Sequence, residues 1–188
     1  MNVAVYSGSF NPLHIGHLAV IRHLVEEAGF DCVYLIVSPK NPLKDSISAA
    51  SGQDRFDAAT AAVNRHFNPE SGKVYVDDIE LRMPPPHYTI RTLDALRKRE
   101  PENSFTLVMG ADNLADIRRW KDYSRILGEF GVAVFPRTGT DLEEVKADLL
   151  EENTSYLITL LKAEMVDISS TTIRNATDQG QDMSQWLM

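Results

Sequence analysis

The sequence predicts an α/β protein with a doubly wound parallel sheet, and three of its features support that prediction. Short apolar runs alternate with segments of helical period along the whole chain, as in sheets whose strands are joined by crossover helices. The chain has 188 residues, enough for one domain with a substantial core and too few for two ordinary domains. Hydrophobic residues make up 43% of the chain and charged residues 24%, which is usual for a globular protein. We therefore expect a single domain over residues 1–188.

Six short apolar runs are predicted as strands. The first ends at Tyr6, directly before a Gly-Ser-Phe-Asn-Pro turn. The second strand lies in the apolar run that starts at Cys32, the single cysteine, which is expected to be a reduced thiol packed in a strand. In chain order the predicted strands are Val3–Tyr6, Val33–Val37, Val74–Val76, Phe105–Met109, Val132–Phe135 and Tyr156–Leu160.

Five segments with apolar residues at the 3.6-residue period are predicted as helices. In the first, five apolar residues between Leu18 and Ala28 fall on one face. Thr89 and Asp141 are predicted N-caps, and the polar tail after Asn175 is expected to be irregular. In chain order the predicted helices are His17–Ala28, Asp54–His66, Ile90–Arg99, Leu114–Leu127 and Leu142–Leu150.

Four loop segments follow predicted strands. In a doubly wound sheet, ligands bind at the carboxyl ends of the strands. We therefore expect these four segments to converge on one crevice: Ser7–His17, Ser38–Lys44, Gly110–Asp112 and Arg137–Gly139.

The net charge of −8 argues against a general nucleic-acid binder, which needs a basic face. It leaves room for a local basic pocket around a phosphorylated small molecule. The N-terminus lacks the basic start and apolar run of a signal peptide, and no run approaches the ~18 apolar residues of a membrane span. We expect a cytoplasmic protein that binds neither nucleic acid nor membrane.

The first chemical motif is "YSGSFNPLHIGHL", between the first strand and the first helix. Gly8 permits a tight turn and a close backbone approach to a ligand. His14 and His17, three residues apart at a helix start, can face the same way and donate N–H groups to phosphate oxygens. Two alternatives are a local capping role and a pair of zinc ligands, but no third ligand stands nearby with suitable spacing. We expect no metal site built by the protein.

The second motif is "VDISSTTIR", which ends at Arg174. A hydroxyl-rich helix start followed one turn later by an arginine is suited to gripping polyphosphate. The structural alternative is that Ser170 or Thr171 is simply an N-cap.

These motifs resemble a known superfamily. His14-Ile15-Gly16-His17 matches the His-x-Gly-His signature of nucleotidyltransferases, and Ile168–Arg174 matches their Ile-Ser-Ser-Thr-x-Ile-Arg signature. Over nearly its whole length the chain looks like the bacterial nicotinate mononucleotide adenylyltransferases. It departs from their pattern at Arg91, where an acidic residue is usual, and it lacks their C-terminal Val…Tyr-Ile segment. Four further segments carry the resemblance: Ser38–Lys44, Asp77–Leu93, Leu107–Leu114 and Val134–Gly139.

The resemblance implies a Rossmann-like fold and a reaction in which the phosphate of a pyridine mononucleotide attacks the α-phosphorus of ATP. Mg²⁺ would accompany ATP. The implied catalytic residues are His14, His17 and Arg174. The implied ATP-binding residues are Gly8, Ser9, Phe10, Gly16, Lys44, Gly110, Asp112, Arg137, Ile168, Ser169, Ser170 and Thr171. The implied binding residues for the mononucleotide are Tyr88, Thr89 and Trp120.

Several alternatives stay open at this point. The acceptor is expected to be nicotinate mononucleotide, with nicotinamide mononucleotide and phosphopantetheine as rivals within the same chemistry. A non-catalytic nucleotide-binding sensor is a rival of another class. The oligomeric state is open, with a homo-oligomer among the alternatives.

Five residues have a structural interpretation beside the functional one or instead of it. Asp112 is either a ligand of ribose hydroxyls or the N-cap of the next helix. Trp120 lies either in the core or, as the resemblance suggests, against the pyridine ring. His23 and His66 are predicted as surface residues on helices, and His87 is placed at the edge of the pocket.

Overall fold

The computed structural model describes residues 1–39, 51–164, 166 and 168–188. Its strands form one six-stranded parallel sheet in the order β3-β2-β1-β4-β5-β6, the doubly wound order of Rossmann-like folds. The predicted fold class is therefore confirmed. The strands are β1 Asn2–Gly8, β2 Cys32–Val37, β3 Val74–Asp77, β4 Ser104–Gly110, β5 Val132–Phe135 and β6 Ile158–Leu160.

Helices connect these strands. The described α-helices are α1 Ile15–Glu26, α2 Gly52–His66, α3 Ile79–Arg82, α4 Thr89–Arg99, α5 Ala111–Ala115, α6 Tyr123–Arg125, α7 Leu142–Glu152 and α8 Ser170–Asp178. Among the described residues, no helix is long and apolar enough to cross a lipid bilayer. The predicted N-cap Asp141 is confirmed, since its carboxylate accepts from the N–H groups of Glu143 and Glu144.

The core has two parts, one on each face of the sheet. Side chains alternate between the faces along each strand, so Ala4 packs with α1 and α2 while Val5 packs with α4 and α7. Cys32 is a buried free thiol, as predicted. Burial on both faces explains why the strands appear in the sequence as continuous apolar runs.

The predicted helix over Leu114–Leu127 is wrong. The segment holds α5, a 3₁₀ turn at Ile117–Arg119, α6 and a π-helical turn at Ile126–Phe130. Trp120 is extended and Asp122 adopts a left-handed φ of 52°, so the helical hydrogen bonding is broken twice. The apolar residues of this segment are buried in the core, but several short turns place them there and not one continuous helix.

Three local predictions also need correction. Thr89 is the first residue of α4, and its N-cap is Tyr88, which makes no side-chain capping bond. The tail after Asn175 is partly ordered, because Leu187 pairs with His14 in an isolated antiparallel bridge and Met188 is buried. His23 is buried on α1, where its Nδ1 lies 3.3 Å from the Glu27 carboxylate. His66 is exposed, as predicted.

Candidate active site

The carboxyl ends of β1, β4 and β5 lie side by side, because these strands are successive neighbours in the sheet. Two adjoining cavities open there, with volumes of about 400 and 270 Å³. The residues that line both cavities, and so form the boundary between them, are Tyr6, His17, Phe135 and Arg137. The loops after these three strands meet at one crevice, as predicted. Most of the fourth predicted segment, Ser38–Lys44, lies outside the described residues.

The predicted site residues occupy different parts of this crevice. Besides the shared His17 and Arg137, those lining the first cavity are His14, Gly16, Asp112 and Ser169. Those lining the second cavity are Gly8, Ser9, Phe10, Thr89, Gly110 and Trp120. Those that line neither of the two are Tyr88, Ile168, Ser170, Thr171 and Arg174. Lys44 lies outside the described residues.

The two histidines of the first motif build a capping box at the start of α1. Nδ1 of His14 accepts from the backbone N–H of Gly16, and Nδ1 of His17 accepts from the backbone N–H of His14, each at 3.2 Å. A neutral imidazole carries one ring proton, so both rings are fixed with their N–H at Nε2. The fold therefore provides two Nε2–H donors at a helix start, where the partial positive charge favours an anion.

Burial keeps both imidazoles neutral. It lowers the pKa of His14 to about 4, with the nearby Arg137 cation as the second cause. It lowers the pKa of His17 to about 3, with smaller contributions from His14 and Arg137. At neutral pH the protein thus offers uncharged donors here, and a bound phosphate anion would favour the protonated forms.

These shifts predict a pH-dependent stability. In the unfolded chain a histidine has a pKa of about 6.5, so the unfolded state binds protons that the folded state does not. The stability should be complete above about pH 6.5 and fall by up to about 1.4 kcal/mol per pH unit for each histidine as the pH drops toward 5. Urea unfolding at pH 7 and pH 5 measures this difference. A variant with both His14 and His17 replaced by alanine should show a smaller difference, and an equal one would contradict the pKa assignment.

The loop after β1 is shaped by aromatic packing around His17. The ring of Phe10 is buried and meets the rings of Tyr6 and His17 edge-on, at centroid distances of 5.5 and 5.3 Å. Phe10 has a φ of 44°, which is uncommon for a bulky residue and indicates that its surroundings hold it there. A Cβ at Gly8 would lie 3.1 Å from the Phe10 ring. Glycine at this position therefore lets the loop fold back onto the strand end.

The second motif forms the first turn of α8. Its N-cap is Ser169, whose hydroxyl accepts from the N–H of Thr172, so the capping role proposed for Ser170 or Thr171 is wrong. Ser170 Oγ donates to the carbonyl of Pro12 at 2.9 Å, and the Arg174 guanidinium donates to the carbonyl of Asn11 at 2.6 Å. These side chains fasten α8 to the loop that carries the histidines.

The side chain of Asp112 lies close to the backbone of Gly110 at the end of β4. Gly110 ends the strand and is the N-cap of α5, so the N-cap interpretation of Asp112 is wrong. A Cβ at Gly110 would lie 2.6 Å from Oδ1 of Asp112 and 3.2 Å from the ring of Phe135. Only glycine leaves room for this arrangement, in which the exposed Asp112 lines the first cavity.

The second cavity is bounded by Trp120 and the start of α4. Trp120 is half-buried, packs against the core on the α4 side of the sheet and also lines the cavity. The core interpretation is therefore confirmed, and its contact with a pyridine ring stays a prediction. Arg91 donates to the carbonyl of Pro86, and the His87 ring bonds the carbonyl of Met83 at 2.8 Å. Neither Arg91 nor His87 is among the residues that line the two cavities.

Comparison with known proteins identifies the family of this chain. Residues 5–176 match the model of the cytidylyltransferase-like family. A Flavobacterium johnsoniae protein named "Probable nicotinate-nucleotide adenylyltransferase" is 34% identical over all of this chain and 92% of its own. A Cytophaga hutchinsonii protein of the same name is 36% identical over 95% of this chain and 87% of its own. The chain belongs to the nicotinate-nucleotide adenylyltransferase family. The resemblance predicted from its two signatures is confirmed.

Solved structures of this adenylyltransferase family share the fold. Plasmodium falciparum nicotinic acid mononucleotide adenylyltransferase complexed with NaAD superposes with a TM-score of 0.78 at 18% identity, over 99% of this chain and 90% of that one. The same enzyme complexed with APC superposes with a TM-score of 0.76. At this level of identity the similarity concerns the fold alone.

Several residues at or near this crevice were missed from the sequence. Tyr6 and Phe135 line both cavities, and they could have been found because they lie at or near the carboxyl ends of strands. Arg55 is buried in α2, and its Nη1 donates to the carbonyls of Ser9 and Ser38 at 2.7 Å each. Nothing in the sequence near Arg55 indicates this role, since its partners are distant along the chain.

Proposed function

We propose that the protein transfers the adenylyl group of ATP to nicotinate mononucleotide, forming deamido-NAD and pyrophosphate in the biosynthesis of NAD. One nucleotidyltransferase domain, residues 1–188, performs the reaction. The observation that carries the proposal is the pair of cavities that meet at His17 and Arg137. Two substrates bound in adjoining cavities would bring their reacting groups together at that boundary. The names of the relatives agree with this activity.

In this assignment the first cavity takes ATP and the second takes the mononucleotide. Four residues predicted to bind ATP then belong to the mononucleotide cavity: Gly8, Ser9, Phe10 and Gly110. His14, His17 and Ser169 contribute donors to the first cavity, next to the Arg137 cation, which suits a polyphosphate. Asp112 accepts from ribose hydroxyls there. In the second cavity the ring of Trp120 lies against the pyridine, next to Thr89. Tyr88, the predicted third contact, precedes Thr89 in the chain and does not line the cavity.

The catalytic step needs little proton chemistry from the protein. The mononucleotide phosphate is already an anion, and it attacks the α-phosphorus of ATP as the bond to pyrophosphate breaks. The Nε2–H groups of His14 and His17 stabilise the charge that develops on the phosphoryl oxygens. Arg174, which bonds the Asn11 carbonyl, keeps α8 against the same loop. Ile168, Ser170 and Thr171 line neither cavity, and we assign them with Arg174 to the support of the ATP site.

Mg²⁺ enters as part of the ATP substrate. Within the described part of the chain there is no cluster of three or more histidine, cysteine, aspartate or glutamate side chains that could hold a metal ion. The oxygen donors of Asp112 and Glu164 line the first cavity and suit a hydrated ion carried by phosphates. The ion neutralises phosphate charge when bound.

The start of α4 favours the carboxylate of nicotinate mononucleotide over the carboxamide of nicotinamide mononucleotide. Its N-cap Tyr88 makes no side-chain capping bond, so the first N–H groups of the helix remain available beside the second cavity. A carboxylate would accept from them, whereas a carboxamide can turn its NH₂ toward them and leave donors unpaired. Each unpaired buried group costs about 1–3 kcal/mol.

We expect the enzyme to prefer nicotinate mononucleotide to nicotinamide mononucleotide, and an assay of pyrophosphate release measures this preference. With saturating MgATP, kcat/KM for nicotinate mononucleotide should exceed that for nicotinamide mononucleotide by about tenfold or more, from the cost of one unpaired group. Phosphopantetheine in the same assay should release no pyrophosphate. Equal values for the two pyridine nucleotides would overturn the assignment of the acid. Release only with phosphopantetheine would overturn the pyridine substrate, and no release with any acceptor would favour a sensor.

A further inference from the structure

Glu80 is a buried carboxyl outside the cavities. It lies in α3 and is 4% exposed. No lysine or arginine among the described residues lies within ion-pair distance of it, although other carboxylates of the protein are paired in this way. An unpaired buried carboxyl is costly for a fold. The presence of Glu80 at this position therefore suggests a role other than stabilising the fold.

The partners of Glu80 are hydroxyls. Oε1 accepts from Thr92 Oγ1 at 2.8 Å and, more weakly, from Ser7 Oγ at 3.5 Å. Ser7 Oγ in turn lies 2.9 Å from Ser38 Oγ. Thr92 is 1% exposed, so water does not compete for its bond to Glu80. One carboxyl oxygen thus connects α4 with the carboxyl ends of β1 and β2.

Both ends of this connection reach the second cavity. Ser7 lines it directly. Thr92 lies one helical turn after Thr89, which also lines it, and a rigid first turn transmits the position of Thr92 to Thr89. We propose that Glu80 is a positioning residue that sets the start of α4 against the end of β1 and so shapes the mononucleotide pocket. The inference rests on the proposed assignment of the second cavity.

Thr92→Val tests the inference with the smallest change, since valine keeps the shape and removes the hydroxyl. KM for nicotinate mononucleotide should rise by about tenfold, as expected when a buried acceptor loses its donor. KM for ATP should stay within about twofold of wild type, because the first cavity does not depend on α4. Glu80→Gln should raise the same KM, and Thr92→Ser, which keeps the hydroxyl, should restore wild-type values. The matched control is Thr60→Val, which removes the bond from Thr60 Oγ1 to the Phe56 carbonyl in α2 and should change neither KM.

Calorimetric binding of the mononucleotide without ATP separates this inference from the proposed function. A rise in Kd for Thr92→Val but not for Thr60→Val supports the positioning role whether or not turnover occurs. Equal Kd values for wild type and Thr92→Val would overturn the positioning role. Equal rises of both KM values would also overturn it, because they would show that the bond between Thr92 and Glu80 is merely structural. Binding by the wild type without pyrophosphate release would overturn the proposed function alone. If the wild type does not bind the mononucleotide, both fall.

Discussion

Replacing His17 with alanine is expected to lower kcat by about 10²–10³-fold, the usual effect of removing one donor to a charge that develops in the transition state. His17 is the imidazole that lines both cavities, so it lies where the two reacting groups meet. Its Nδ1 is occupied by the N–H of His14, which directs Nε2–H toward the ligand. Steady-state pyrophosphate release at saturating substrates measures the effect.

The same substitution removes part of the cap of α1 and should cost about 1 kcal/mol of folding stability. That cost leaves the protein folded, so circular dichroism and thermal unfolding separate it from the loss of activity. His66→Ala, at the exposed C-terminal end of α2, is the control and should keep its kcat. A folded His17→Ala protein with near-normal kcat would contradict the phosphate role.

Gly16→Ala should lower kcat although it removes no functional group, because it displaces a stabilising group. The loss should stay below the roughly 10²-fold that a displacement of about 1 Å costs. A Cβ at Gly16 would lie 3.0 Å from Cε1 and Nδ1 of His14 and 3.5 Å from Cγ2 of Ile168. It would crowd the His14 ring, which would have to move by a few tenths of an ångström against its bond with the Gly16 N–H, whereas the contact with Ile168 is of ordinary length. The ring would then present its Nε2–H in the wrong place.

Intrinsic helix propensity and displacement of the His14 ring predict different outcomes for Gly16→Ala. Alanine is favoured over glycine within a helix by about 1 kcal/mol, so a propensity effect would stabilise the protein while activity falls. Gly128→Ala is the matched control, since a Cβ there meets no atom within 4 Å. The control should keep its kcat, and the histidine NMR signals of Gly16→Ala should shift while those of Gly128→Ala do not. Equal kcat values for the two variants would show that the His14 ring tolerates displacement.

The sequence predicts this fold well because the relevant signals are local. The four inner strands of the sheet are largely buried on both faces and therefore appear as apolar runs. The strand-helix alternation predicts a parallel sheet. The prediction of one helix over 114–127 fails because the apolar residues are spaced for burial, while the left-handed backbone of Asp122 interrupts the helix. Backbone reversals of this kind depend on tertiary packing, which the spacing of apolar residues does not record.

The site is predictable where contacts are local in sequence. His14 and His17 interact across three residues, and their spacing at a helix start is visible in the sequence. Glu80 and Arg55 were missed, because their partners Thr92, Ser7 and Ser9 come together only in the folded sheet. For the same reason the sequence cannot distinguish a hydroxyl directed at a ligand from one that bonds a loop carbonyl, as Ser170 does with Pro12.

We propose that adenylyl transfer takes place at the boundary between the two cavities. Incubating the enzyme with nicotinate mononucleotide and ATP labelled at the α-phosphorus tests it directly. The account predicts label in a dinucleotide product, unlabelled pyrophosphate, and loss of nearly all labelled product in a folded variant with His14 and His17 replaced by alanine. A wild-type enzyme that makes no labelled dinucleotide, or a double variant that makes it at the wild-type rate, would contradict the account.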